Sequence, residues 1–63
     1  MKFRVKEQRE EAGMTQVQLA EKSNVSRAII SGLESGSITV TTTETLSKIA
    51  GALGKSVSDI FSE

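Results

Sequence analysis

The sequence predicts an all-α fold in which five short helices surround one core. Helix-capping residues and glycines recur at short intervals along the 63 residues, and no proline interrupts them. The clearest amphipathic stripe places Leu46, Ile49, Ala50 and Leu53 at positions i, i+3, i+4 and i+7, which is the spacing of one buried helix face. Because cysteine and histidine are both absent, packing rather than disulfides or zinc must stabilise this fold.

The first two helices are predicted from composition and caps. The charged stretch from Phe3 to Ala12 is rich in helix-forming residues, and Gly13 is placed to end it in a left-handed conformation. Thr15 and Gln18 form the T-x-x-Q pattern of a capping box at the start of the second helix. We expect that helix to end near Ser23.

The third helix should follow a sharp turn. Asn24 tolerates the positive φ that such a turn requires, Ser26 can cap the helix, and Gly36 can stop it. Ile30 and Leu33, at i and i+3, are its expected buried residues.

The segment after the third helix is ambiguous, since residues 38–41 alternate as a strand would. We predict an extended loop, because a lone strand would have no partner in a helical chain. Thr42 or Thr43 can cap the fourth helix, which should end at Gly54.

The fifth helix is predicted to be short. Ser56 and Asp59 resemble a capping box at its start. Its expected core residues are Val57, Ile60 and Phe61.

The composition bounds the class of protein. The chain has room for one domain, covering residues 1–63, near the lower size limit for an unaided core. It offers no catalytic constellation, so we expect neither an enzyme nor a cofactor nor a metal. Its apolar runs are too short for a membrane span or a signal peptide, which favours a cytoplasmic protein. The formal net charge of zero argues against indiscriminate binding to nucleic acid.

The second and third helices form the most specific pattern in the chain. Only Asn24 and its neighbours link them, so they must cross steeply instead of forming an antiparallel hairpin. A close crossing needs a small residue at the contact, and Ala20 meets that need. Such a pairing is a helix-turn-helix unit, over about residues 15–35.

Four blocks of sequence occur in a familiar order: REEAGMTQVQLAEKS from Arg9, VSRAIISGLESG from Val25, TETLSKIAGALG from Thr43 and SVSDIF from Ser56. With these blocks the chain resembles the phage-repressor and Cro type of helix-turn-helix protein, also called the xenobiotic-response-element family. The resemblance implies a lambda-repressor-like DNA-binding domain whose third helix enters the major groove. It also implies a transcriptional repressor that binds a palindromic operator in double-stranded DNA as a homodimer. Since the sequence offers no long C-terminal helix for contacts between subunits, we expect a weak homodimer.

The resemblance assigns base reading to short-sided residues of the third helix that face away from its buried residues. Arg27 can donate a bidentate pair to guanine, and Ala28 can contact a thymine methyl group. Ser31 and Gly32 permit close approach of the helix. The alternative is an ordinary solvated face. The expected base-reading set is Ser26, Arg27, Ala28, Ser31 and Gly32.

Phosphate binding is expected beside that helix. Gln16 occupies the first position of the second helix, where free N–H groups and the macrodipole attract an anion, although a plain N-terminal glutamine is the alternative. Thr15 can add a hydroxyl group. Ser37 and Thr39 stand where the family commonly has Lys or Arg, so we expect modest affinity and a shallow salt dependence.

Other residues of the pattern are expected to be structural. In the family an arginine of the first helix pairs with the glutamate that ends the third, and Arg9 and Glu34 match these positions. Gln8 stands where the family prefers an apolar residue. For Ile29, thymine contact, burial and partner contact all remain open.

A second function is a protein-interaction module on the same fold, such as an antitoxin that masks a toxin or another effector. The neutral charge, Ile29 and the apolar loop residues Ile38 and Val40 keep this alternative open.

Overall fold

The computed structural model describes residues 2–62, and the side chains of residues 3–61. It shows the predicted five-helix, all-α fold. The helices are α1 (Val5–Glu11), α2 (Gln16–Ser23), α3 (Arg27–Ser35), α4 (Thr43–Leu53) and α5 (Val57–Ile60). A short strand precedes them, β1 (Lys2–Phe3), and another follows them, β2 (Phe61–Ser62).

Most helix ends lie where local chemistry predicts them. The Thr15 hydroxyl accepts from the N–H of Gln18 at 3.1 Å, and the Gln18 side chain accepts from the N–H of Thr15 at 2.8 Å. Asn24 ends α2 in the left-handed conformation, with φ of 59°. Thr42, rather than Thr43, caps α4 by accepting from the N–H of Thr45.

The start of α5 is held by one carboxylate. Asp59 accepts hydrogen bonds from the N–H and the hydroxyl group of Ser56, each at 2.9 Å. The backbone hydrogen bond from Ser56, followed by the one from its hydroxyl group, lowers the pKa of Asp59.

The two ends of the chain differ from the prediction. The first helix begins at Val5 and not at Phe3, because Phe3 pairs with Phe61 in an antiparallel β-ladder. The two rings meet edge to face, with centroids 5.9 Å apart. The predicted helical position of Phe61 is therefore wrong, and its half-buried ring approaches the core from a strand.

One core lies between all five helices. The largest fully buried side chains come one from each helix, and they are Val5, Leu19, Ile30, Ile49 and Ile60. The predicted stripe of α4 is buried along its length.

Two polar atoms are buried without a protein hydrogen-bond partner among the described residues. They are Oε1 of Gln8, in α1, and Oγ of Ser23, at the end of α2. A buried polar atom without a partner lowers stability, because it has given up its hydrogen bonds to water.

Candidate nucleic-acid interface

A three-residue turn, residues 24–26, joins α2 to α3. Asn24 is left-handed, and the carbonyl of Ala20 accepts from the N–H groups of Asn24 and Val25. Ala20 is half-buried against the core, flanked by the buried side chains of Leu19 and Val25. The turn therefore fixes the direction in which α3 leaves α2.

One edge of α3 faces outward. Ile30 and Leu33 are buried, whereas Ser26, Arg27, Ala28 and Ser31 are exposed. The Ser26 hydroxyl also caps the helix by accepting from the N–H of Ile29 at 3.3 Å. This outward edge, defined here by Ser26, Arg27, Ala28 and Ser31, presents short side chains and one guanidinium group.

Gly32 differs from the other members of the expected base-reading set, because it is buried. A Cβ atom built on Gly32 would meet Cδ1 of Ile38 and would lie 2.6 Å from its Cγ1. Gly32 thus gives room to a side chain of the same molecule. Ile29 is half-buried and packs against the core, which favours the burial interpretation for that residue.

The N-terminus of α2 lies beside the outward edge. Nε2 of Gln16 donates to Glu34 at 3.2 Å, and its Oε1 accepts from Nε of Arg27 at 3.4 Å. The capping box satisfies the N–H groups of Thr15 and Gln18, which leaves those of Gln16 and Val17 without an acceptor within the helix. Such N–H groups favour an anion.

Arg9 and Glu34 form a bidentate pair behind Gln16. Nε and Nη2 of Arg9 donate to the two carboxylate oxygens at 2.8 and 3.0 Å, and Nη1 donates to the carbonyl of Met14 at 2.7 Å. Only 12% of the Arg9 side chain and 5% of the Glu34 side chain are exposed. The pair ties α1 to the end of α3.

Both pKa values reflect this pairing. Burial of Glu34 opposes its ionisation, but hydrogen bonds from Arg9 and Gln16 outweigh that effect and hold the pKa of Glu34 below its usual value. The hydrogen bond to Glu34 raises the pKa of Arg9. The two groups are therefore charged at neutral pH.

The segment after α3 is a loop and not a strand, as expected, and carries the remaining predicted phosphate ligands. Ser37 and Thr39 are both exposed. The Ser37 hydroxyl lies 3.1 Å from that of Ser35 and donates to the carbonyl of Gly32 at 3.5 Å. The loop is thereby tied to the last turns of α3.

Comparison with known proteins places the chain in a family. A family model described as helix-turn-helix matches residues 5–60. The chain belongs to the helix-turn-helix family, of the phage-repressor and Cro type. It is also 45% identical over 60 residues to an immunity repressor protein of Bacillus phage phi105, a match that covers 95% of this chain. The chain spans about two fifths of that relative's length.

No solved structure matches the chain. Within residues 2–62, each helix is too short or too polar to cross a membrane.

The sequence did not predict the role of two residues beside the outward edge, Lys6 and Ile38. Lys6 of α1 lines a cleft of about 300 Å³ together with Gln16 and Ser31, so a cation flanks the N-terminus of α2. Ile38 covers Gly32. A glycine inside a helix was a signal that something approaches closely there, but the sequence did not show that the approaching group belongs to the same chain.

Proposed function

We propose that this protein binds double-stranded DNA with sequence preference and regulates transcription, as a repressor at a palindromic operator. The observation that carries the proposal is the outward edge of α3, which is short-sided, exposed and joined to α2 by a hydrogen-bonded turn at Asn24. An α-helix fits the major groove of B-DNA, where each base pair presents a distinct pattern of donors and acceptors. Membership of the helix-turn-helix family and similarity to a phage immunity repressor support the same function.

Arg27 is the proposed main base reader. Its Nε lies against Gln16, which leaves the two terminal nitrogens to donate to O6 and N7 of a guanine. Gln16 is in turn held by Glu34, so the guanidinium group is partly oriented before DNA binds. Ala28 is proposed to contact a thymine methyl group, with Ser26 and Ser31 at the helix edge making shorter polar contacts.

Phosphate contacts are proposed on both sides of α3. On one side, the open N–H groups at the start of α2 and the side chains of Thr15 and Gln16 suit a phosphate. On the other, Ser37 and Thr39 donate from the loop. Because these groups are neutral, few counterions are displaced, and affinity should depend on salt less steeply than in a basic relative.

A homodimer is proposed to bring two copies of α3 to two half-sites about one helical turn apart. Contacts through α5 and the part of the loop beyond Ile38, where Val40 is exposed, would give a weak dimer that DNA strengthens.

Selection of bound sequences from random duplexes tests the proposal. The expected result is a palindromic site with a guanine in each half, and an affinity that falls by about 1–3 kcal/mol per half-site in Arg27→Ala. Lys48→Ala is the matched control, because it removes the same charge from α4, where Lys48 lies 3.6 Å from Glu44. Equal affinity of the protein for every duplex would exclude sequence-specific binding.

The second candidate function is a protein-interaction module, such as an antitoxin. Val40, in the loop between α3 and α4, favours this function, because its side chain is 80% exposed. An exposed apolar side chain suits contact with a protein partner. The salt dependence of binding separates the two functions, because binding to DNA should weaken as salt rises, although less steeply than in a basic relative, whereas an apolar protein interface should show little change.

A further inference from the structure

The loop residue Ile38 occupies the space that a side chain at position 32 would fill. Gly32 lies within α3, and a Cβ atom on it would be 2.6 Å from Cγ1 and 3.4 Å from Cβ of Ile38. Two non-bonded carbon atoms need about 3.5–4.0 Å. Gly32 and Ile38 therefore act as a pair, in which the loop supplies the side chain that the helix lacks.

This side chain lies on the outward side of α3. Residues four apart in an α-helix lie one above the other on the same face, so position 32 shares the face of Ala28, which is exposed. Gly32 is buried although its neighbour on that face is not, and the covering group is Ile38. Ile38 therefore continues the outward edge by one helical turn beyond Ala28.

The position of Ile38 is held from two directions. Its N–H donates to the carbonyl of Gly32 at 3.0 Å, which ties the backbone of the loop to α3. Its half-buried side chain also packs against the core. A side chain that is already ordered loses little conformational entropy when it contacts a ligand.

We infer that Ile38, although it lies outside α3, reads DNA by contacting the C5 methyl group of a thymine. This inference rests on the proposed DNA-binding function. In the major groove, thymine is distinguished by its methyl group, which apolar side chains contact. Ala28 and Ile38 then form a continuous apolar strip along the outward edge. Arg27, the proposed main base reader, directly precedes Ala28 in the sequence.

The experiment replaces each thymine of a selected half-site, one at a time, by deoxyuridine, which removes the methyl group and preserves base pairing. With the unaltered protein, two of these replacements should each lower affinity about fourfold, the ratio for one buried methyl group, because Ala28 and Ile38 each contact a thymine. In Ile38→Ala one of the two replacements should have no effect, and the other should keep its fourfold ratio. Val40→Ala is the matched control from the same loop, and it should keep the fourfold ratio.

The outcomes distinguish failure of the inference about Ile38 from failure of the proposed DNA-binding function. If the protein prefers a sequence but no deoxyuridine lowers its affinity, or if every ratio persists in Ile38→Ala, the inference is wrong and the proposed function stands. If all duplexes bind equally, both are wrong. If Ile38→Ala fails to fold, Ile38→Val is tested in its place. This change removes Cδ1, the atom over Gly32, and should reduce the loss of affinity that deoxyuridine causes.

Discussion

The Arg9 guanidinium group holds both carboxylate oxygens of Glu34, with Nε–Oε2 and Nη2–Oε1 distances of 2.8 and 3.0 Å. The two residues are 25 positions apart in sequence. Since Glu34 also accepts from Gln16 and Gln16 from Arg27, one chain of hydrogen bonds runs from α1 to the outward edge of α3. A structural ion pair thus supports the proposed base reader.

Loss of this pair should be costly. Glu34→Ala leaves a mostly buried guanidinium group without its partner, so we expect the free energy of unfolding to fall by about 3 kcal/mol. Glu44→Ala is the control, because Glu44 pairs with Lys48 at 3.6 Å on an exposed surface and should cost less than about 1 kcal/mol. Urea unfolding of both variants measures the difference. Equal losses would show that the Arg9–Glu34 pair is energetically an ordinary surface pair.

Stability should depend on pH through Glu34. Its pKa is lower in the folded protein than its ordinary value, so folding is favoured by ionisation. The stabilisation by ionised Glu34 is fully present above the pKa that this residue has in the unfolded chain, about 4.3. It is lost as pH falls through the pKa of Glu34 in the folded protein. We expect thermal midpoints to drop on acidification below about pH 5, and to drop less in Glu34→Gln. In that variant the thermal midpoint should still fall somewhat with decreasing pH, because the pKa of Asp59 is also lowered. Identical acid slopes in the two proteins would contradict the assignment to Glu34.

Gly32→Ala and Gly51→Ala should have opposite effects. Alanine favours a helix over glycine by up to about 1 kcal/mol, and at Gly51 of α4 the added methyl group meets nothing within 4 Å. Gly51→Ala should therefore stabilise the protein by about 0.5–1 kcal/mol. At Gly32 the methyl group meets Ile38, and overpacking should give a net loss of about 1–3 kcal/mol. A stabilised Gly32→Ala variant would show that Ile38 moves aside freely.

Gln8→Leu should stabilise the protein. Oε1 of Gln8 is buried without a hydrogen-bond partner among the described residues, and leucine removes this unsatisfied atom while retaining apolar contacts. We expect a gain of about 1 kcal/mol in the free energy of unfolding. Glu7→Leu, on the neighbouring exposed position, should give no gain. If both variants behaved alike, helix propensity and not desolvation would explain the effect.

Local chemistry let the sequence predict the helices and their ends. The Thr15–Gln18 capping box and the left-handed Asn24 involve residues within a few positions of each other, and the φ preference of Asn24 is intrinsic to its side chain. The outward edge of α3 followed from helical periodicity once Ile30 and Leu33 were assigned to the core. The Arg9–Glu34 pair could be expected only from the resemblance to a family, because no local rule joins residues so far apart.

Only the tertiary structure decided what covers Gly32 and where the chain ends meet. Glycine at position 32 is compatible with a close approach by any surface, and the position of Ile38 depends on how the whole loop returns to α3. The pairing of Phe3 with Phe61 joins residues near opposite ends of the described chain, and two-residue strands carry too few residues for a period of two to be recognised. Caps and helical faces are set by neighbours in sequence, whereas these two contacts arise only after the helices have packed.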